Sequence, residues 1–306
     1  MSAKPGRQKY VILVYATCWM VFSNTLILVN HKLIVRVGFC FPATLCSLGV
    51  FTTWLAAICA HIARVSKANR PLRTSDFVRV FPVGATLACT LALGNWLYLH
   101  MSLSFIQVMK AAGPLITYYI FMLSGVEVAN PRVRCGLLLI AFGSVTSFAP
   151  ELYHGTTAVV AIMAALLCEV SESIRVVLLQ ILLQGQDLDL WQSILIVSPS
   201  SLLFLGLCIY FFELDALRER DGLTMASRNP VLFACASFMG VLVNVCALGV
   251  VRHAGGVSLK VLGQVKNFAL ICFSVATLHE TISKTQLIGY FFSLGGFHLY
   301  RIGKFK

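Results

Sequence analysis

Apolar residues dominate this chain in runs about twenty residues long, separated by short polar or charged punctuation. A run of that length crosses the hydrocarbon core of a bilayer as an α-helix. Counting the runs predicts ten helices, at approximately 10–29, 39–63, 77–99, 103–124, 133–149, 156–181, 190–212, 229–250, 256–277 and 285–302. The connections are mostly short. The longest polar ones are ARVSKANRPLRTSD and ELDALRERDGLTMASRN, and no separate soluble domain interrupts the pattern. The predicted fold class is an all-α polytopic membrane protein.

Composition agrees. Of 306 residues, 58% are hydrophobic and 12% charged, and the mean hydropathy is +0.84. A soluble domain carries about 25% charged residues, so this chain cannot cover a water-facing surface. The net charge of +12 does not mark a nucleic-acid binder, because the cations fall between apolar runs and not on one stripe. They read as topology determinants. Fourteen Lys and Arg fall on one predicted side and six on the other, which places both termini in the cytosol.

The eleven cysteines scatter through the apolar runs without a Cys-x-x-Cys pair, so they read as small packing residues. No metal, disulfide, thiol chemistry or cofactor is expected. The nine residues before the first apolar run are too few for a transit peptide.

The chain also repeats. Glu127, Gly136 and Gly143 are matched by Glu280, Gly289 and Gly296, each 153 residues later. Five helices per half is an odd number, so the second half enters the membrane from the opposite side. Residues 1–153 and 154–306 then form inverted repeats, an architecture of secondary transporters that puts the site at the repeat interface.

Few charges lie deep in the predicted helices: Lys110, Glu169, Glu172, Arg175, Lys260 and Lys266. Each costs about 2.5–3.5 kcal/mol at mid-membrane, so each must face a partner or a wet cavity. Four bases against two acids leave positive charge that calls for an anion. In the ninth helix Lys260, Gln264 and Asn267 fall on one strip with Lys266 beside it, over an arc of about 160°. In the fourth, Gln107, Lys110, Pro114 and Thr117 share a face, and Pro114 opens the helix near Lys110. The third offers Asn95 and Tyr98. Lys260, near a helix end, can also snorkel to the interface. Glu172 and Arg175, at i and i+3, can pair, which leaves Glu169 to a lysine of a neighbouring helix.

An intramembrane transferase is the competing class. It would need clustered aspartates, yet the one close pair, Asp187 and Asp189, lies in a connection. No Gly-x-Ser-x-Gly, His-Glu-x-x-His or Walker loop occurs.

The stretches LGNWLYLHMSLSFIQVMKAAGPL and VSLKVLGQVKNFALICFSV, with LVNHKLI, SESIRVVLLQILLQ and LIGYFFSLGGFHLYR, resemble the nucleotide-sugar and triose-phosphate translocators of plants and algae. These belong to the drug/metabolite transporter superfamily and include the "probable sugar phosphate/phosphate translocator" group. The resemblance implies a ten-helix antiporter that exchanges a phosphorylated sugar or nucleotide sugar for phosphate or a nucleoside monophosphate. By position, Lys110 and Lys266 match family lysines that contact substrate phosphate. Asn267 stands where plastid sugar-phosphate translocators carry arginine. That difference favours an endomembrane nucleotide-sugar carrier of the Golgi or endoplasmic reticulum over a plastid inner-envelope one. The alternative is a sugar-phosphate/phosphate translocator of triose-phosphate or phosphoenolpyruvate type. Asn95, Tyr98, Gln107, Tyr118, Lys260 and Gln264 complete the expected substrate contacts. The expected partners are the anionic substrate, its counter-substrate and the lipid bilayer, with a homodimer left open.

Overall fold

The computed structural model describes residues 5–63, 74–110, 113–125, 130–148, 156–185, 189–278 and 283–304. Nearly all of them are helical, and no strand occurs among them. In hydrocarbon each backbone N–H and C=O must be satisfied within its own segment, and a helix does this for every apolar run. The helices are α1 (Pro5–His31), α2 (Pro42–Ile62), α3 (Thr74–Trp96), α4 (Leu103–Met109), α5 (Gly113–Leu123), α6 (Pro131–Phe148) and α7 (Thr156–Gly185). They continue with α8 (Leu190–Cys208), α9 (Leu214–Glu219), α10 (Gly222–Arg228), α11 (Pro230–Ala254), α12 (Gly256–Leu278) and α13 (Lys284–Lys304). Large apolar side chains such as Leu13, Phe211, Leu223 and Val231 stand exposed, as a lipid-facing surface requires.

Two expectations are corrected. The run 103–124 is two helices, because Pro114 has no N–H to donate and its ring crowds the carbonyl four residues earlier, that of Lys110. The stretch after Glu213, expected as a polar connection, folds into α9 and α10. Leu, Ala, Glu and Arg are strong helix formers, but helices this short leave no twenty-residue apolar run to count.

The chain forms two compact units, and neither coincides with a half of the sequence. The first comprises Met1–Leu99 and Leu178–Leu259, the second His100–Val177 and Lys260–Lys306. In the first unit α1 packs on α11, α2 lies against both α8 and α11, and α3 packs on α8. Among the described residues, five segments here are long and apolar enough to cross a membrane: Tyr10–Arg36, Pro42–Ile62, Asp76–Leu99, Leu190–Glu219 and Pro230–Ala254. A core of Ala43, Cys46, Val50, Ala88 and Leu205 joins α2, α3 and α8. These side chains are mostly small, which lets the helices approach closely.

A π-helical turn, Ile209–Glu213, ends α8 and delivers the buried Glu213 to the start of α2. Its carboxylate accepts from the Ala43 and Thr44 amides at 2.7 and 2.8 Å and from the Thr44 hydroxyl at 2.7 Å. The first amides of a helix have no intrahelical acceptor and carry a partial positive charge, so a carboxylate is well matched to them.

In the second unit α6 and α13 lie side by side along their length. A Cβ at Gly143 would strike the Gly289 carbonyl and Ser293, and one at Gly296 would strike the Gly136 carbonyl and the Ile140 amide. Only glycine permits this approach.

Candidate functional site: a cationic cluster in the second unit

The cluster is built by the α4–α5 break, α7 and α12. The break leaves Lys110 at the end of α4 and lets α5 start afresh at Gly113 with Pro114 second, where the missing N–H costs nothing. The buried Thr117 hydroxyl donates to the Gly113 carbonyl at 2.8 Å and lies 2.8 Å from the Ser173 hydroxyl, fixing α5 to α7. One turn before Ser173, the Glu169 carboxylate sits against Gly113, in space that a side chain there would take.

Lys260 on α12 reaches this carboxylate at 3.5 Å and that of Glu172 at 3.9 Å. Glu172 is held far more tightly by Arg175, whose Nε and Nη2 donate to its two oxygens at 2.8 and 2.7 Å. The i,i+3 pair and the pairing of Glu169 with a neighbouring helix are therefore as the sequence indicates, and Lys260 sits in this ion cluster. Lys266, buried on the same helix, interacts electrostatically with Lys110, Lys260, Glu169 and Glu172. Among the described residues, four basic side chains thus share the site with two carboxylates. Lys260 and Arg175 lie on those carboxylates, and Lys110 and Lys266 bring two further basic side chains.

Gln107 and Asn267 are buried beside these lysines in sequence, one helical turn before Lys110 and immediately after Lys266. Among the described residues, both amide atoms of Gln107 and the Asn267 amide oxygen have no hydrogen-bond partner. The Gln264 side chain lies outside those described, as do Glu127 and Glu280. Tyr118 is buried, and its hydroxyl accepts the Asn130 amide N–H at 3.3 Å. Asn95 and Tyr98 belong to the first unit. Asn95 donates to the Cys46 sulfur at 3.1 Å, and Tyr98 meets His31 edge-on at 5.9 Å. Sequence reasoning missed the Thr117–Ser173 contact and the role of Gly113, since neither residue type is unusual in a membrane helix.

Helices apolar enough to span a bilayer, with charged side chains held inside the protein, define an all-α integral membrane protein. The chain belongs to the Triose-phosphate Transporter family, whose profile matches residues 10–301. A probable sugar phosphate/phosphate translocator of Arabidopsis thaliana is 28% identical over 281 residues, covering 90% of this chain and 79% of that protein. A GDP-mannose transporter of the same plant is 22% identical over 294 residues, 92% of this chain and 82% of its own. A solved crystal structure shares the fold at a TM-score of 0.57 and 16% identity, over 94% of this chain and 98% of that one. The protein is a solute transporter and not an enzyme.

Proposed function

We propose that the protein is an antiporter that exchanges a nucleotide sugar for a nucleoside monophosphate, with Lys110 and Lys266 holding the phosphates. The observation that carries this reading is the charge balance of the cluster. Among its described residues four basic side chains, Lys110, Arg175, Lys260 and Lys266, stand against two carboxylates, Glu169 and Glu172. A phosphate dianion or a diphosphate diester matches that surplus. Asn267 beside Lys266 offers neutral hydrogen bonds where a second cation would favour a bare phosphate. Gln107, Lys260 and Gln264 are proposed to complete the contacts in the second unit, with Tyr118 reading the sugar or base. Seven plant relatives named as probable sugar phosphate/phosphate translocators favour a second reading, exchange of a sugar phosphate for phosphate.

Alternating access in this proposal rests on ten spans in two inverted repeats, 1–153 and 154–306. Shifted by 153 residues, α1 falls on α7, α2 on α8, α3 on α11, α4 and α5 on α12, and α6 on α13. Packing supports the same relation, since α2 against α11 is the counterpart of α8 against α3. Both termini are then cytosolic, in a Golgi or endoplasmic reticulum membrane. Glycosylation tags at either end test that orientation, and a modified C-terminal tag would reverse it. The substrate test is counter-exchange in proteoliposomes against nucleotides, nucleotide sugars and sugar phosphates. The expected result is nucleotide-sugar uptake driven by internal nucleoside monophosphate. Robust phosphate/triose-phosphate exchange with no response to any nucleotide would replace this reading with the second.

A further inference from the structure

Six buried side-chain atoms lack a hydrogen-bond partner among the described residues, and three of them belong to Gln107 and Asn267. Gln107 is fully buried and Asn267 is 3% exposed. A buried amide left unmatched destabilises the protein that carries it. Such groups are kept where a ligand completes them, as in sites that discriminate substrates by a hydroxyl. Gln107 lies one turn before Lys110 and Asn267 directly after Lys266, and under the 153-residue repeat Gln107 is the counterpart of Lys260.

The chemistry of the unmatched atoms restricts the ligand. Two are amide oxygens, which only accept, and one is an amide nitrogen, which only donates. Phosphate and carboxylate oxygens accept, so they can answer the nitrogen but neither oxygen. Two O–H or N–H donors are required next to the anionic group.

We infer that Gln107 and Asn267 are specificity-determining residues that read ligand hydroxyls beside the phosphate, so that the carrier selects polyhydroxylated phosphate esters and rejects acceptor-only anions such as phosphoenolpyruvate. This rests on the transport reading above and narrows it, since phosphoenolpyruvate exchange is one form of the second reading.

The test uses the purified full-length carrier with four probes: inorganic phosphate, phosphoenolpyruvate, glucose 6-phosphate and GDP-mannose. Half-saturating concentrations come from ligand-induced thermal shifts and from exchange in proteoliposomes. The wild type should prefer the better hydroxylated probe over phosphoenolpyruvate by at least about tenfold. Gln107→Met and Asn267→Leu should each narrow that ratio to within about threefold by weakening the hydroxylated probe alone. The ligand-free melting temperature should hold or rise, because each change removes an unmatched polar group. Equal weakening of all probes, a wild type that favours phosphoenolpyruvate, or a lowered ligand-free melting temperature would overturn the inference. Failure of every phosphorylated probe to bind would instead sink the transport reading beneath it, and this inference with it.

Discussion

The Ser293 hydroxyl donates to the Ile140 carbonyl at 3.4 Å, across 153 residues, the same interval that separates the matched glycines. The glycine contacts obey the same rule. Gly143 meets Gly289 and Ser293, while Gly296, 153 residues after Gly143, meets Gly136 and Ile140. These glycine contacts exchange with one another when residue numbers are shifted by 153.

Equivalent substitutions at the two ends of that relation should therefore behave alike. Gly143→Leu and Gly296→Leu are each expected to destabilise the protein by about 1–3 kcal/mol or more, by forcing α6 and α13 apart. Gly206→Ala, where nothing lies within 4 Å of an added Cβ, serves as the control. Thermal unfolding in detergent reads all three. Leucine variants that melt with the control would show that the close approach contributes nothing.

Lys110→Ala and Lys266→Ala should each lower transport about tenfold to a hundredfold, the worth of one charge-assisted hydrogen bond to phosphate. Folded yield should stay close to wild type, because a deep lysine costs stability and its removal relieves that cost. A variant that misfolds yet transports normally per folded molecule would make its lysine structural.

Much of this was legible because membrane insertion leaves a plain record. Long apolar runs mark most of the helices, and the odd charges Lys110, Glu169, Glu172, Lys260 and Lys266 mark the interior. The Glu172–Arg175 pair was readable because both residues sit on one helix at a fixed spacing. The α4–α5 break was legible only as a tendency of Pro114, since one proline can either kink or end a helix. Glu213 gave no local sign. Its partners lie 170 residues away, and only the fold brings them to it.

Asn267→Arg should shift relative uptake toward small phosphate esters by about tenfold, because a guanidinium grips phosphate oxygens in pairs where an amide cannot. Competition between glucose 6-phosphate or inorganic phosphate and a nucleotide sugar measures the shift. An unchanged ratio in a folded variant would remove Asn267 from substrate discrimination.

Glu172→Gln should cost about 1–3 kcal/mol, because Arg175, partly buried, is left without its carboxylate. Replacing both residues with leucine should restore much of that loss, since an ion pair exchanged for apolar packing is often neutral. Chemical or thermal denaturation of the single and double variants decides it. If the single variant melts like wild type, the pair contributes no stability.

The reach of Glu213 back to α2 also sets an order of events during biosynthesis. The start of α2 enters the membrane long before residue 213 has been made. At ribosomal rates, the 170 residues between Ala43 and Glu213 take roughly 10–30 s to add. Throughout that interval the exposed amides of Ala43 and Thr44 have no carboxylate, and α2 waits with an unsealed end. The α2 N-terminus is therefore capped only once a segment of the second half has been made.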